Sequence, residues 1–223
     1  MIVLPDPGKA FDFENNFYLS CDNSRIAKLI AHYELFKMSA DIPGAIVECG
    51  VFKGVSLVRF AHFRELMGLS SEKEIIGFDT FGDFPAASYA PDNDLLSKFI
   101  ESAGNQSIGK QQLSEVLANK GVDKNIKLIE GDISETLPRF LKDNPGFRIS
   151  FLNLDVDLYE PSRIILELLF PLISPGGILL LDDYAKFPGE TKAADDYFGE
   201  GRDQIRQLNY SKSPCYLIKK PVK

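Results

Sequence analysis

"RISFLNLDVDLYEPSRIILELLFPLISPGGILLLDD", residues 148–183, decides how this chain folds. It reads as strand, helix and strand: an apolar run to Leu154, a helix around Pro161–Ile173, a Pro-Gly-Gly turn, then an apolar run to Leu181. Two strands joined by one helix through short connections lie parallel in a sheet, linked by a right-handed crossover. Each run stops on acid: Asp155 and Asp157 after the first, Asp182 and Asp183 after the second. The window is apolar, yet Glu167, Pro171, Pro175 and the glycine pair would leave charge and unsatisfied backbone in lipid, so it belongs to a protein core and not a membrane.

The alternation continues upstream. "SRIAKLIAHYELFKM" spaces apolar residues at helical intervals behind Asp22 or Asn23 as cap, and "AIVEC" is a short strand apolar enough to be buried on both faces. "VSLVRFAHFRELMGL" is a helix and "KEIIGFD" a strand; a polar and aromatic loop from Thr80 to about Asp92 precedes helices in "DLLSKFIESAG" and "KQQLSEVLANKG". "NIKLIEGD" and "SETLPRFLKD" supply another strand and helix, and "QIRQLNYSKSPCYLIKK" closes with two strands. The expected fold is α/β and Rossmann-like: a mostly parallel seven-stranded sheet, helices on both faces, the last strand antiparallel. Residues 1–223 read as one domain, with a helical N-terminal segment over about 1–42 and a lid-like loop over about 80–108.

Composition narrows the function. The chain is 44% hydrophobic and 26% charged, with a formal net charge of -7 that repels phosphate backbones and anionic lipid, so neither nucleic acid nor membrane is an expected partner. Cys21, Cys49 and Cys215 are too scattered for a disulfide framework or a zinc site. With no basic and apolar leader in "MIVLPDPGKAFDF", the expected compartment is the cytoplasm.

Five successive strands end in acid: Glu48, Asp79, Asp132, Asp155 with Asp157, and Asp182 with Asp183. Asp is a good cap and turn former, which explains any one of these, but gathering them at one sheet edge costs repulsion that something must offset. In an open parallel sheet that edge is where ligands bind. "VECGVFKG" departs from the G-x-G-x-x-G dinucleotide pattern, and Glu48 would repel a pyrophosphate. S-adenosylmethionine, cationic and without phosphate, suits it. Gly50, Val51, Phe52 and Gly54 form the turn that lets backbone approach the cofactor, and Ser56 at the helix start meets its carboxylate. Asp79 and Thr80 receive the ribose, and Asp132 and Ile133 the adenine.

These residues resemble a known family, the macrocin-type (TylF-like) sugar O-methyltransferases of the class I methyltransferase fold. The matching stretches are "GAIVECGVFKGVSL", "IGFDTFGDFP", "LNLDVDLYEPS", "ISPGGILLLDDYAKFPGETKAADDYF" and "FYLSCDNSRIAKLIAHYELFK". The resemblance implies that Asp155, Asp182 and Asp183 hold a divalent cation, magnesium above all, and that the protein self-associates as a dimer. Catechol-type metal-dependent O-methyltransferases are similar in the first motif but carry a lysine where this chain has Leu158, so no lysine base comes from that position. Hard cations take oxygen ligands and keep positions open for vicinal hydroxyls, which fits a sugar or glycoside acceptor. Asp155 is then the expected proton acceptor, with Asp157 as the alternative. His32 and Tyr33 reach the cleft if the N-terminal helix folds over it, and Tyr159 and Tyr184 are candidate acceptor-pocket residues. Two competing readings stand beside this one: a glycosyltransferase using "DVD" as a D-x-D motif, and a cofactor-binding module without catalysis.

Overall fold

A computed structural model describes residues 2–221. Its strands are β1 (Ala45–Cys49), β2 (Ile75–Asp79), β3 (Ile126–Glu130), β4 (Ile149–Leu154), β5 (Ile173–Leu181), β6 (Arg206–Leu208) and β7 (Ser211–Ile218). They form one sheet in the order β3-β2-β1-β4-β5-β7-β6. β1 to β5 are mutually parallel, while β7 runs antiparallel to both β5 and β6. The closing strand is therefore the reversed one, as expected. β1 and β4 lie at the centre and are buried at every residue, whereas edge strand β3 is only half-buried.

The helices are α1 (Ala10–Ser20), α2 (Asn23–Met38), α3 (Val55–Leu66), α4 (Asn93–Ala103), α5 (Lys110–Asn119), α6 (Ile133–Asp143), α7 (Tyr159–Leu169) and α8 (Pro188–Phe198). Strand alternation divides the core into two layers. Val47, Leu152 and Leu179 pack with Leu137 of α6, Leu166 of α7 and Ala194 of α8. Ile46, Phe151 and Leu180 face the opposite way and pack with Phe36 of α2, Phe60 of α3 and Leu117 of α5. The Phe36 ring lies 5.9 Å from Phe60 and 5.7 Å from Phe151, which fixes α2 against the sheet. Asp22 caps that helix, accepting from the Ser24 amide at 2.8 Å.

The segment expected as a lid-like loop over about 80–108 is partly helical: it contains a 3-10 turn at Ala90–Asp92 and then α4. Phe99 of α4 meets Phe52 at 5.3 Å and Phe84 at 5.8 Å, so an aromatic cluster joins this segment to the turn after β1. Asp92, fully buried, accepts from the Tyr159 amide at the start of α7. α1 buries no residue, leaving Phe11, Tyr18 and Leu19 exposed. Among the described residues no helix is long and apolar enough to cross a membrane.

Candidate active site

A cleft of about 1310 Å³ opens beyond the C-terminal ends of β1, β2, β4 and β5, walled on its far sides by α2 and the residues before α4. One flank is the turn from β1 into α3. Gly50 has φ +89, and a Cβ there would sit 1.8 Å from the Asp155 carbonyl oxygen. Glycine is thus required by the β4 turn pressing on it as well as by any ligand. Asp79 ties this turn to the end of β2: Oδ2 accepts from the Val51 and Phe52 amides at 2.8 and 2.9 Å, and Oδ1 from the Phe81 amide at 2.6 Å. The Thr80 hydroxyl donates to the Asp83 carbonyl at 3.1 Å. Asp132 caps α6, accepting from the Ser134 amide at 2.8 Å, and Ile133 follows it.

All the residues expected to hold the cofactor line the cleft except Glu48 and Gly54. Glu48 shares a face with Ile46 and points into the core. It is fully buried and accepts at 3.0 Å from the side-chain amide of Asn153, its register partner on β4. Its Oε2 has no partner, and burial pushes its pKa up to about 8. Gly54, at φ +79, starts α3 and fits under Leu113, whose Cδ1 would lie 2.9 Å from a Cβ there.

The other flank holds the remaining acids. Ile178 and Leu180 of β5 face α2, and Asp182 continues that face; Asp183 takes the opposite one. Asp182 is fully buried, ion-paired with Lys28, with its Oδ1 3.2 Å from His32 Nε2. Arg59 Nη1 lies 3.1 Å from His32 Nδ1. A guanidinium can only donate, so Nδ1 accepts and the ring proton sits on Nε2, donated to Asp182. Burial opposes ionisation of Asp182, but Lys28 and His32 outweigh it and hold the carboxyl below the usual range. Burial likewise opposes the Lys28 charge, and Asp182, then Asp155 and Asp183, outweigh it and raise the ammonium above the ordinary lysine value. His32 is pushed down, burial being the largest cause.

Asp155, Asp157 and Asp183 each offer an oxygen, all within 4.8 Å of one another. Asp157 reaches the cluster by a left-handed backbone, φ +62. It is 5% exposed, and its Oδ1 has no hydrogen-bond partner. Burial raises both the Asp155 and Asp157 carboxyls well above their ordinary range, followed by repulsion from Asp182 and Asp183 respectively. Behind them Glu190 of α8 is fully buried; it accepts from the Asp183 amide at 3.0 Å and donates its own amide to the Asp157 carbonyl at 2.9 Å. An all-oxygen set with an orphaned buried carboxylate oxygen fits a hard divalent cation. Of the expected ligands Asp155, Asp182 and Asp183, this geometry groups Asp155 and Asp183 with Asp157. Strand alternation sends Asp182 toward α2, where Lys28 and His32 hold it, and the turn brings Asp157 in.

Tyr159 and Tyr184 do not line the cleft: their hydroxyls donate to Asp196 and Asp195 of α8 at 3.0 and 2.8 Å. His32 does line it, whereas Tyr33 packs edge-on against Phe63. The sequence reading passed over Lys28, Arg59 and Glu190. Lys28, His32 and Phe36 follow one another at four-residue steps, a single stripe of α2, and that spacing was the available signal for Lys28.

A family model described as macrocin-O-methyltransferase (TylF) matches residues 18–207. The chain belongs to that family. It is 30% identical over 148 residues to the 8-demethyl-8-(2,3-dimethoxy-alpha-L-rhamnosyl)-tetracenomycin-C 4'-O-methyltransferase of Streptomyces olivaceus, covering 65% of this chain and 54% of that relative. It is 25% identical over 161 residues to the demethyldecarbamoylnovobiocin O-methyltransferase of Streptomyces niveus, covering 70% of this chain and 59% of that protein. The alignments thus span between half and two thirds of these relatives. In three dimensions this TylF-family chain is similar to the calicheamicin methyltransferase CalS11, with a TM-score of 0.76, 30% identity, and 96% and 86% of the two chains covered.

Proposed function

We propose that the chain is an S-adenosylmethionine-dependent O-methyltransferase that methylates a sugar hydroxyl, in a glycosylated metabolite, a nucleotide sugar or a polysaccharide, with the help of a divalent cation. One observation carries this reading. A single cleft joins the turn at Gly50–Phe52 with Asp79 and Asp132 on one side to the cluster of Asp155, Asp157 and Asp183 on the other. Family membership supports methyl transfer, and the rhamnosyl group in the name of the Streptomyces olivaceus relative supports a sugar acceptor.

In this reading the turn and Ser56 receive the amino-acid part of the cofactor, Asp79 accepts from the ribose hydroxyls, and Ile133 covers the adenine. Asp155, Asp157 and Asp183 hold the cation. When bound, the cation keeps the three carboxylates ionised and lowers the pKa of the acceptor hydroxyl. The unpartnered Oδ1 of Asp157 takes the hydroxyl proton, because an oxygen with no bond to break is free to accept one. Asp155, the first expectation for that role, offers no oxygen that is both buried and unpartnered, and so serves as a ligand only. Much of the catalysis is positioning: the acceptor oxygen must lie in line with the sulfonium methyl.

Transfer of labelled methyl from S-adenosylmethionine to a panel of rhamnosides and other glycosides tests the reading, with magnesium and then with EDTA. Product formed with magnesium and lost with EDTA is the expected outcome. Full turnover in EDTA removes the cation from the mechanism. Binding of a UDP-sugar without binding of S-adenosylhomocysteine revives the glycosyltransferase.

A further inference from the structure

We propose that Lys28 is a tethered counter-cation for the carboxylate cluster, and that a divalent cation held by Asp155, Asp157 and Asp183 repels its ammonium away from Asp182. The inference rests on the cation reading above and concerns the chain's own answer to the same crowding. Five acids meet here: Asp155, Asp157, Asp182, Asp183 and Glu190. Two lysines face them. Lys186 sits 3.3 Å from Asp183 with half its side chain in solvent, so water screens it, whereas Lys28 is three-quarters buried and paired with a fully buried partner.

The placement is built into the fold. Phe36 locks α2 to the sheet, and Lys28 lies two turns earlier on the same stripe, so the helix delivers its ammonium to the rim of the sheet. Lysine suits a displaceable charge better than arginine would, being a single point charge on a flexible four-carbon stem with no fork to hold two oxygens at once. Asp182 keeps His32 as a second partner when Lys28 leaves. The orphaned Oδ1 of Asp157 shows that one lysine does not satisfy all of the cluster. The consequence is a cluster that tolerates the absence of the cation and binds it more weakly than three carboxylates alone would.

The test is Mn²⁺ affinity, measured by calorimetry or electron paramagnetic resonance on the full chain with S-adenosylhomocysteine present. Lys28→Met is expected to bind Mn²⁺ at least about tenfold tighter than the unaltered protein, because a competing charge is gone. Without the ion it should melt at a lower temperature. Lys28→Arg, which keeps the charge, should stay within about threefold of the unaltered protein. Equal or weaker Mn²⁺ binding by Lys28→Met, with the unaltered protein binding normally, overturns the inference and leaves the cation reading standing. No Mn²⁺ binding by either protein overturns both. Should Lys28→Met fail to fold, acylation of the Lys28 amine in the unaltered protein, followed by mass spectrometry, gives a second measurement. Saturating Mn²⁺ should raise the labelling several-fold, and unchanged labelling overturns the inference.

Discussion

The two flanks of the cleft treat their acids in opposite ways. On the side of β1, β2 and β3 the carboxylates are occupied: Asp79 accepts from three backbone amides and Asp132 from one at a helix start, all at 2.9 Å or less. They hold their own loops in shape before any ligand arrives. On the β4–β5 side Asp155, Asp157 and Asp183 crowd within 4.8 Å, with an unpartnered oxygen on Asp157 and another on Glu190 behind. The first flank is complete as a piece of protein, and the second is a set of charges that the chain can only partly neutralise. Acids satisfied by backbone shape a site, whereas acids left short of partners call for a cation from outside.

Substitutions separate the flanks. Asp183→Asn has the largest expected effect, lowering kcat by roughly 10³-fold while S-adenosylhomocysteine affinity stays within about threefold, as calorimetry beside a methyl-transfer assay would read. A matching loss of cofactor affinity would mean that the flanks are not independent. Gly50→Ala should damage both, because its Cβ would collide with the Asp155 carbonyl where the two turns touch. About 2–4 kcal/mol of stability should go, visible in urea unfolding. Asp79→Ala leaves three amides without an acceptor, at a cost of about 1–3 kcal/mol, and should weaken S-adenosylhomocysteine binding about tenfold with metal affinity unchanged.

Glu48→Gln has the smallest effect and shows itself in pH dependence. Burial raises the folded pKa from the ordinary 4.5 to about 8, so the buried group favours its neutral form. Its contribution to stability is complete below pH 4.5 and is lost as pH rises through about 8, when the folded protein must carry a buried charge. Melting curves from pH 5 to 9 should therefore fall more steeply for the unaltered protein than for Glu48→Gln. Parallel curves would place Glu48 in contact with water.

The fold was largely legible. Val47 and Cys49 against Ile46, or Leu179 and Leu181 against Leu180, are local alternations, and Asp22 and Gly54 are local punctuation; the expected Pro-Gly-Gly turn instead lies inside β5, with Gly176 at φ +86. The strand-end acids were legible for the same reason. Glu48 lies outside the cleft lining because the motif marks the strand end but not which way the side chain points, and strand alternation puts it on the Ile46 face beside Asn153.

From the sequence alone came the order of strands and helices, the rim at which acids gather and the chemistry that such a rim invites, because each depends on residues near one another in the chain. Tertiary structure alone decided which acids meet. Asp182 finds its partner in His32, 150 residues earlier, and Asp157 joins the cluster through a left-handed turn. Charge at a given point in space is summed over every element that reaches it, and no local pattern carries that sum.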